Sequence, residues 1–166
     1  MIVSNSTPII YLSKIDKFFL LKEIFSTVLI PEEVKNEVVD KGKEKNHIDA
    51  FEVEKAIQEG WVQVKKINTH VLLIPLGIHK GEAEAISLAH EMKLGVLLDQ
   101  THAREAAKLL DLQANGTIFV LLLALKRKFL DYDTYLLAIR DLIDVGFRMS
   151  EEVYLEAVRM GKEISH

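Results

Sequence analysis

Apolar residues along this chain come in short clusters, and their spacing alternates between that of a strand and that of a helix. Ile2-Val3 is a brief apolar run that stops at Ser4-Asn5-Ser6-Thr7-Pro8. Thr7 followed by Pro8 predicts a helix start, with Thr7 as N-cap and the proline in the first turn, where its missing N–H does no harm. Ile9, Ile10, Leu12, Ile15, Phe18, Phe19, Leu21 and Ile24 then recur at helical spacing, with a bend expected near Asp16. Val28-Leu29-Ile30 reads as a second buried strand. Pro31-Glu32-Glu33 starts a helix reaching about Lys41, with its acids at the positive helix end. A charged break is expected over residues 42–46. Ile48, Phe51, Ala56 and Ile57 mark the next amphipathic helix, ended by Gly60. Trp61-Val62-Gln63-Val64 alternates as a strand does. Residues 76–81 read as a loop, 82–93 as a helix, 95–98 as a buried strand ending at Asp99, and 101–112 as a helix. A very short strand near residues 113–115 and helices over 117–128, 133–144 and 151–163 complete the pattern.

Short apolar strands alternating with helices predict an α/β fold, a short central parallel sheet flanked by helices on both faces. At 166 residues the chain is expected to be a single domain over 1–166. In that reading, residues 147–166 form a C-terminal helical extension behind the loop at Gly146-Phe147-Arg148-Met149-Ser150. A hydrophobic content of 49% suits a folded domain and not a disordered one. The absence of cysteine removes disulfide scaffolds, thiolate zinc sites and cysteine nucleophiles. A net charge of -4 argues against a general basic coat for nucleic acid and leaves room for a locally basic groove. Lys14 is the first charged residue, so no basic leader precedes the early apolar positions. The longest apolar run, residues 118–125, falls far short of the about 20 residues that a membrane span needs. The expectation is a cytoplasmic protein without a membrane segment.

Ligands of open α/β sheets bind outside the carboxyl ends of the strands. Asn5 and Asp99 both fall at such ends. Each has a structural reading, since Asn and Asp side chains commonly bond the backbone of a turn. That reading weakens for Asp99, because Thr101 is an equally good cap. Glu82 heads an apolar helical stripe of Ala85, Ile86, Ala89 and Met92. A carboxylate there is costly to bury unless it is paired, protonated or bound to a metal; the competing reading is a charge placed at the positive helix end. Glu84 falls on the other side with Ser87, Leu88 and Glu91, mainly the solvated side. Glu37, beside Val38, reads either as flanking a buried edge or as a solvated acid. The six histidines show no zinc spacing, and no phosphate loop, dinucleotide fingerprint or serine-hydrolase elbow is present. Lys126-Arg127-Lys128 reads as a favourable helix C-terminus or as a phosphate contact.

Together these segments resemble a PIN domain, and most closely the VapC-like subgroup of archaeal and bacterial PIN proteins. The resemblance rests on Val3-Ser4-Asn5-Ser6-Thr7-Pro8-Ile9-Ile10, Pro31-Glu32-Glu33-Val34 with Glu37-Val38, and Gly81-Glu82-Ala83-Glu84-Ala85-Ile86-Ser87-Leu88-Ala89. It continues in Leu97-Leu98-Asp99 with Ala103-Arg104, and in Asn115-Gly116-Thr117, and spans about residues 2–130. It implies a PIN-like fold and a metal-dependent ribonuclease using Mg²⁺ or Mn²⁺, ions that prefer oxygen ligands. The family's acidic quartet maps onto Asn5, Glu37, Glu82 and Asp99, with Asn5, Glu82 and Asp99 as metal ligands and Thr7 supporting the first position. The implied partners are RNA, a small antitoxin protein and a second copy of the chain in a homodimer. Phe18, Phe19, Leu21 and Phe25 offer apolar area for such an interface or for the core. Asn5 departs from the family pattern, where an aspartate is usual. The amide removes one negative charge and predicts weaker metal binding. The alternative implied by that departure is a catalytically weakened PIN domain that binds RNA or protein as a regulatory module. A nucleotide- or effector-binding Rossmann-like domain is a third reading, disfavoured by the missing phosphate loop.

Overall fold

Side chains of a strand point alternately to opposite faces, so a strand buried on both faces is apolar throughout. β2 (Val28–Pro31) is buried at every position. Val28 and Ile30 pack into one core, Leu29 into a second on the other face. β1 (Ile2–Ser4) and β4 (Val96–Leu97) divide in the same way, Val3 and Val96 facing the core that Leu97 does not. The computed structural model describes residues 1–166. With β3 (Val62–Lys65) and β5 (Ala114–Asn115), these strands form one five-stranded parallel sheet in the order β3-β2-β1-β4-β5. Val3 lies opposite both Leu29 and Val96, which makes β1 the central strand.

Parallel neighbours require crossovers, and these put helices on both faces. The larger core, of 27 buried residues against 13, holds apolar side chains of α1 (Ser6–Lys14), α2 (Phe19–Phe25), α5 (Ile48–Glu59), α8 (Thr117–Lys126), α9 (Tyr132–Asp144) and α10 (Glu151–Ser165). The smaller core holds those of α6 (Lys80–Met92) and α7 (Thr101–Lys108). No helix is long and apolar enough to cross a membrane. The chain is the α/β fold expected, and the helix ends account for most of the differences.

α1 begins two residues earlier than an N-cap at Thr7 predicts, with Asn5 at the N-cap and Pro8 still in the first turn. A left-handed Asp16 separates α1 from α2, where a bend was expected. The helix after β2 does not stop at Lys41. It runs as α3 (Glu32–Lys35), a π-helical turn (Asn36–Asp40) and α4 (Lys41–Glu44). Gly42 belongs to this helix because α5 passes close by; a Cβ on it would lie 2.8 Å from that of Ala50. The small residues Ala50, Val53 and Ala56 therefore form the buried face of α5, while Ile48 and Phe51 are exposed. Phe18 and Leu21 fill the core, whereas Phe19 is exposed.

Residues beyond the Gly146 loop pack into the same larger core. Ser150 caps α10, Ala157 is buried, and the Tyr135 hydroxyl donates to the Ala157 carbonyl across 2.7 Å. Gly161 lies against the Tyr135 ring, where a Cβ would overlap it.

Candidate active site

β1 and β4 are adjacent, yet the chain leaves them toward opposite faces: α1 packs on the larger core and α7 on the smaller. That divergence is a topological switch point at the carboxyl ends of the two strands, the place where α/β sheets bind ligands. Asn5 follows β1 and Asp99 closely follows β4. The Asn5 N–H extends the ladder by donating to the Leu97 carbonyl at 3.1 Å. Its side chain is almost fully buried, 4% exposed, and makes no capping hydrogen bond to α1.

The other acidic residues reach this edge through a chain of contacts. Ser6, beside Asn5, donates its hydroxyl to Glu37 Oε2 at 2.8 Å. Glu37 sits in the π-helical turn, whose extra residue per turn is a feature frequent at functional sites. Its other oxygen lies over Gly81, where any Cβ would collide with it. The next residue is Glu82, 4% exposed. Glu82 Oε2 accepts the His79 N–H at 3.3 Å and lies 3.2 Å from His102 Nε2. His102 is three residues past Asp99. Gln100 Nε2 donates to Thr7 Oγ1 at 3.1 Å, closing the ring back onto α1. Asn5, Glu37, Glu82 and Asp99 are thus carried by four separate segments that touch one another through neighbouring residues.

Asp99 is held from the far side of the switch point. The Thr117 N–H and hydroxyl donate to its two oxygens, each at 2.7 Å. Gly116 leaves the space for it; a Cβ there would stand 2.5 Å from Asp99 Oδ1. Burial pushes the Asp99 carboxyl above its usual range, against the Thr117 hydrogen bonds and the positive charge of Arg104. The starts of α1, α3 and α8 follow strand ends within two residues and that of α7 within four, so positive helix ends lie along this edge and favour anions there.

Some residues sit differently from what periodicity predicts. Thr7 is not the N-cap; it lies in the first turn of α1 and receives Gln100. Glu84 is not solvated. It is buried and accepts the Glu33 N–H at 3.2 Å, so it caps the start of α3. Ser87, expected on the same outer side, is buried and bonds His70 N and the Ala83 carbonyl. The run from Gly81 to Ala89 is buried all round, which erases the distinction between an inner and an outer face. Met92, by contrast, ends the stripe in solvent. Arg127 of the basic cluster donates to the Ile24 carbonyl at 2.9 Å and ties α8 to the end of α2. Periodicity does not mark His102, Ser6 or Thr117 as site residues; Ser6 and Thr117 fall only within the runs Val3 to Ile10 and Asn115 to Thr117 that carry the family resemblance.

A family model described as a PIN domain matches residues 1–163. The chain belongs to the PIN-domain family. No curated protein and no solved structure matches it. The match extends through most of α10, so the family pattern includes the last helix. Membership of the PIN family points to nuclease activity in general, to nucleic acid as substrate and to the divalent metals that PIN domains generally use.

The donor set of this PIN domain suits such a metal in kind. Asn5, Glu37, Glu82 and Asp99 offer only oxygen, the donor that Mg²⁺ and Mn²⁺ prefer. Gly81 and Gly116 are cradles that a Cβ would fill, and Gln100 Oε1 is a buried oxygen with no partner. In arrangement, no three His, Asp or Glu side chains gather closely enough to hold an ion. Glu37 Oε2 is turned to Ser6, Glu82 Oε2 to His79 and His102, and Asp99 to Thr117. The amide of Asn5 brings this group an oxygen without a charge.

Proposed function

We propose that this PIN domain is a metal-dependent ribonuclease of the VapC-like type, hydrolysing RNA phosphodiester bonds with Mg²⁺ or Mn²⁺. The observation that supports it most is the linkage of the segments carrying Asn5, Glu37, Glu82 and Asp99 around the β1–β4 divergence, by contacts of Ser6, Gly81, His102 and Gln100. Asn5, Glu82 and Asp99 are the residues that would hold the metal, which when bound supplies an activated water and positive charge against the phosphate.

The protein's own groups prepare that chemistry. Thr117 fixes the Asp99 carboxylate with two hydrogen bonds, and Gly116 lets it lie flat against the α8 start. The His79 N–H and His102 orient Glu82, while Ser6 orients Glu37. The surrounding helix starts favour an anionic phosphate at this edge. The neutral amide of Asn5 adds an oxygen without a charge, so we expect slow turnover or a preference for Mn²⁺.

The same reading makes the protein a cytoplasmic toxin that pairs with a small antitoxin and forms a homodimer. Exposed Val71, Leu72 and Ile74, on the 3₁₀ turn before α6, offer apolar area to another protein chain. The reading is tested by cleavage of a mixed RNA pool in EDTA, Mg²⁺ or Mn²⁺. Cleavage that requires metal and is lost in Glu82→Ala is expected. Cleavage that persists in EDTA, or in Glu82→Ala, overturns it.

A further inference from the structure

We propose that the groove leading from Asp99 between α7, α8 and α10 seats a nucleotide of single-stranded RNA next to the cleavage point, with Arg104 and Arg148 against its phosphates. The proposal rests on the ribonuclease reading and assigns where that substrate lies. The groove encloses about 630 Å³, within the roughly 300–1,000 Å³ that small ligands occupy. Asp99 and Asn115 are among the residues that line it, so a strand held there lies against one carboxylate of the candidate active site.

The lining has the chemistry of a base and a phosphate side by side. Ile118, Leu122 and Ala157 give it an apolar surface, and a nucleobase presents an apolar face. A duplex hides those faces by stacking, so the fit is to an unpaired strand. Arg104 and Arg148 also line the groove, and neither takes part in any ion pair of the protein. Arg104 is close enough to Asp99 for its charge to act on that carboxyl, whereas Arg148 keeps its whole donor fork for a phosphate. Two further acids face the groove from α10. Glu156 is already paired with Arg159, whereas Glu152 is unpaired and marks the wall that a phosphate would avoid.

The test is a fluorescence-anisotropy titration of the full-length protein with a short labelled single-stranded RNA in EDTA, repeated over a range of salt. Arg148→Glu should weaken binding roughly tenfold and lower the salt slope by about 0.7, the share of one phosphate that is no longer neutralised. Glu152→Lys should tighten binding. Arg140→Glu, on α9 and outside the groove, should leave it unchanged. Native affinity in both Arg148→Glu and Glu152→Lys overturns the proposal, as does a native protein that binds no RNA. Metal-dependent cleavage with unchanged affinity in those two variants removes the groove and keeps the nuclease. Binding that follows the expected order in a protein that cuts nothing keeps the groove and removes the nuclease.

Discussion

Asp99 receives both the backbone N–H and the hydroxyl of Thr117, each across 2.7 Å. The pair joins the end of β4 to the start of α8 and fixes one carboxylate at the divergence of β1 and β4. Burial nonetheless holds the Asp99 carboxyl above its ordinary range, with Thr117 and Arg104 only opposing that rise. A charged Asp99 is therefore under tension that a bound cation would relieve.

A carboxyl whose folded pKa lies above its unfolded value favours folding when protonated. Its contribution is complete below the unfolded range and is lost as pH rises through the folded pKa. Asp99→Asn, which keeps an acceptor for Thr117, should therefore melt higher than the native protein at neutral pH without metal. The gap should close as pH falls below the carboxylate range. Mn²⁺ should raise the melting temperature of the native protein and not that of the variant. Calorimetric scans across pH, with and without Mn²⁺, check all three.

Glu82 and Glu84 lie two positions apart but serve different ends. Glu84→Ala leaves the Glu33 N–H without its partner, at a cost of about 1–3 kcal/mol. At about 2–4 °C per kcal/mol, that is a visible drop in melting temperature. Its RNA cleavage at low temperature should survive. Glu82→Ala likewise frees the His79 N–H and should also melt lower, but with cleavage abolished even at low temperature.

Asn5→Asp restores a charge at the switch point. Two unit charges about 4 Å apart are worth about 4 kcal/mol at an effective dielectric of 20. Even after the cost of burying the new carboxylate, metal affinity should rise roughly tenfold or more, and cleavage should quicken. Isothermal titration with Mg²⁺ and Mn²⁺ measures the change; equal affinity in native and variant would show that position 5 does not face the metal.

The strands are legible because each is short and bounded by a turn, with β2 and β4 apolar and β3 alternating, and even the two-residue β5 lies within residues 113–115. The positions of Asn5 and Asp99 at the switch point followed from the strand ends alone. Glu84 was misread because periodicity separates an inner face from an outer one, and α6 is enclosed on both over Gly81 to Ala89. Ile48 and Phe51 misled for a related reason: close packing of Gly42 on Ala50 selects small residues for the α5 interface and leaves the large ones outside. The partners that orient the acids were out of reach. Thr117 lies 18 positions from Asp99, and Ser6 lies 31 from Glu37. Only the folded sheet brings such pairs together.

The α10 docking contact gives a further prediction. Gly161→Ala places a methyl into the Tyr135 ring and should lower stability by about 1–3 kcal/mol. Amide exchange should quicken in α10 first, because its buried anchor is the Tyr135 bond to Ala157.

The central claim is that Glu82 on α6 and Asp99 after β4 serve one metal ion, although they come from separate elements. Electron paramagnetic resonance of Mn²⁺ added to the full-length protein tests it directly, read as the fall in free ion on titration. The native protein should take up Mn²⁺, and Glu82→Ala and Asp99→Asn should each abolish that uptake while remaining folded. Unchanged Mn²⁺ uptake in both variants would contradict the shared site.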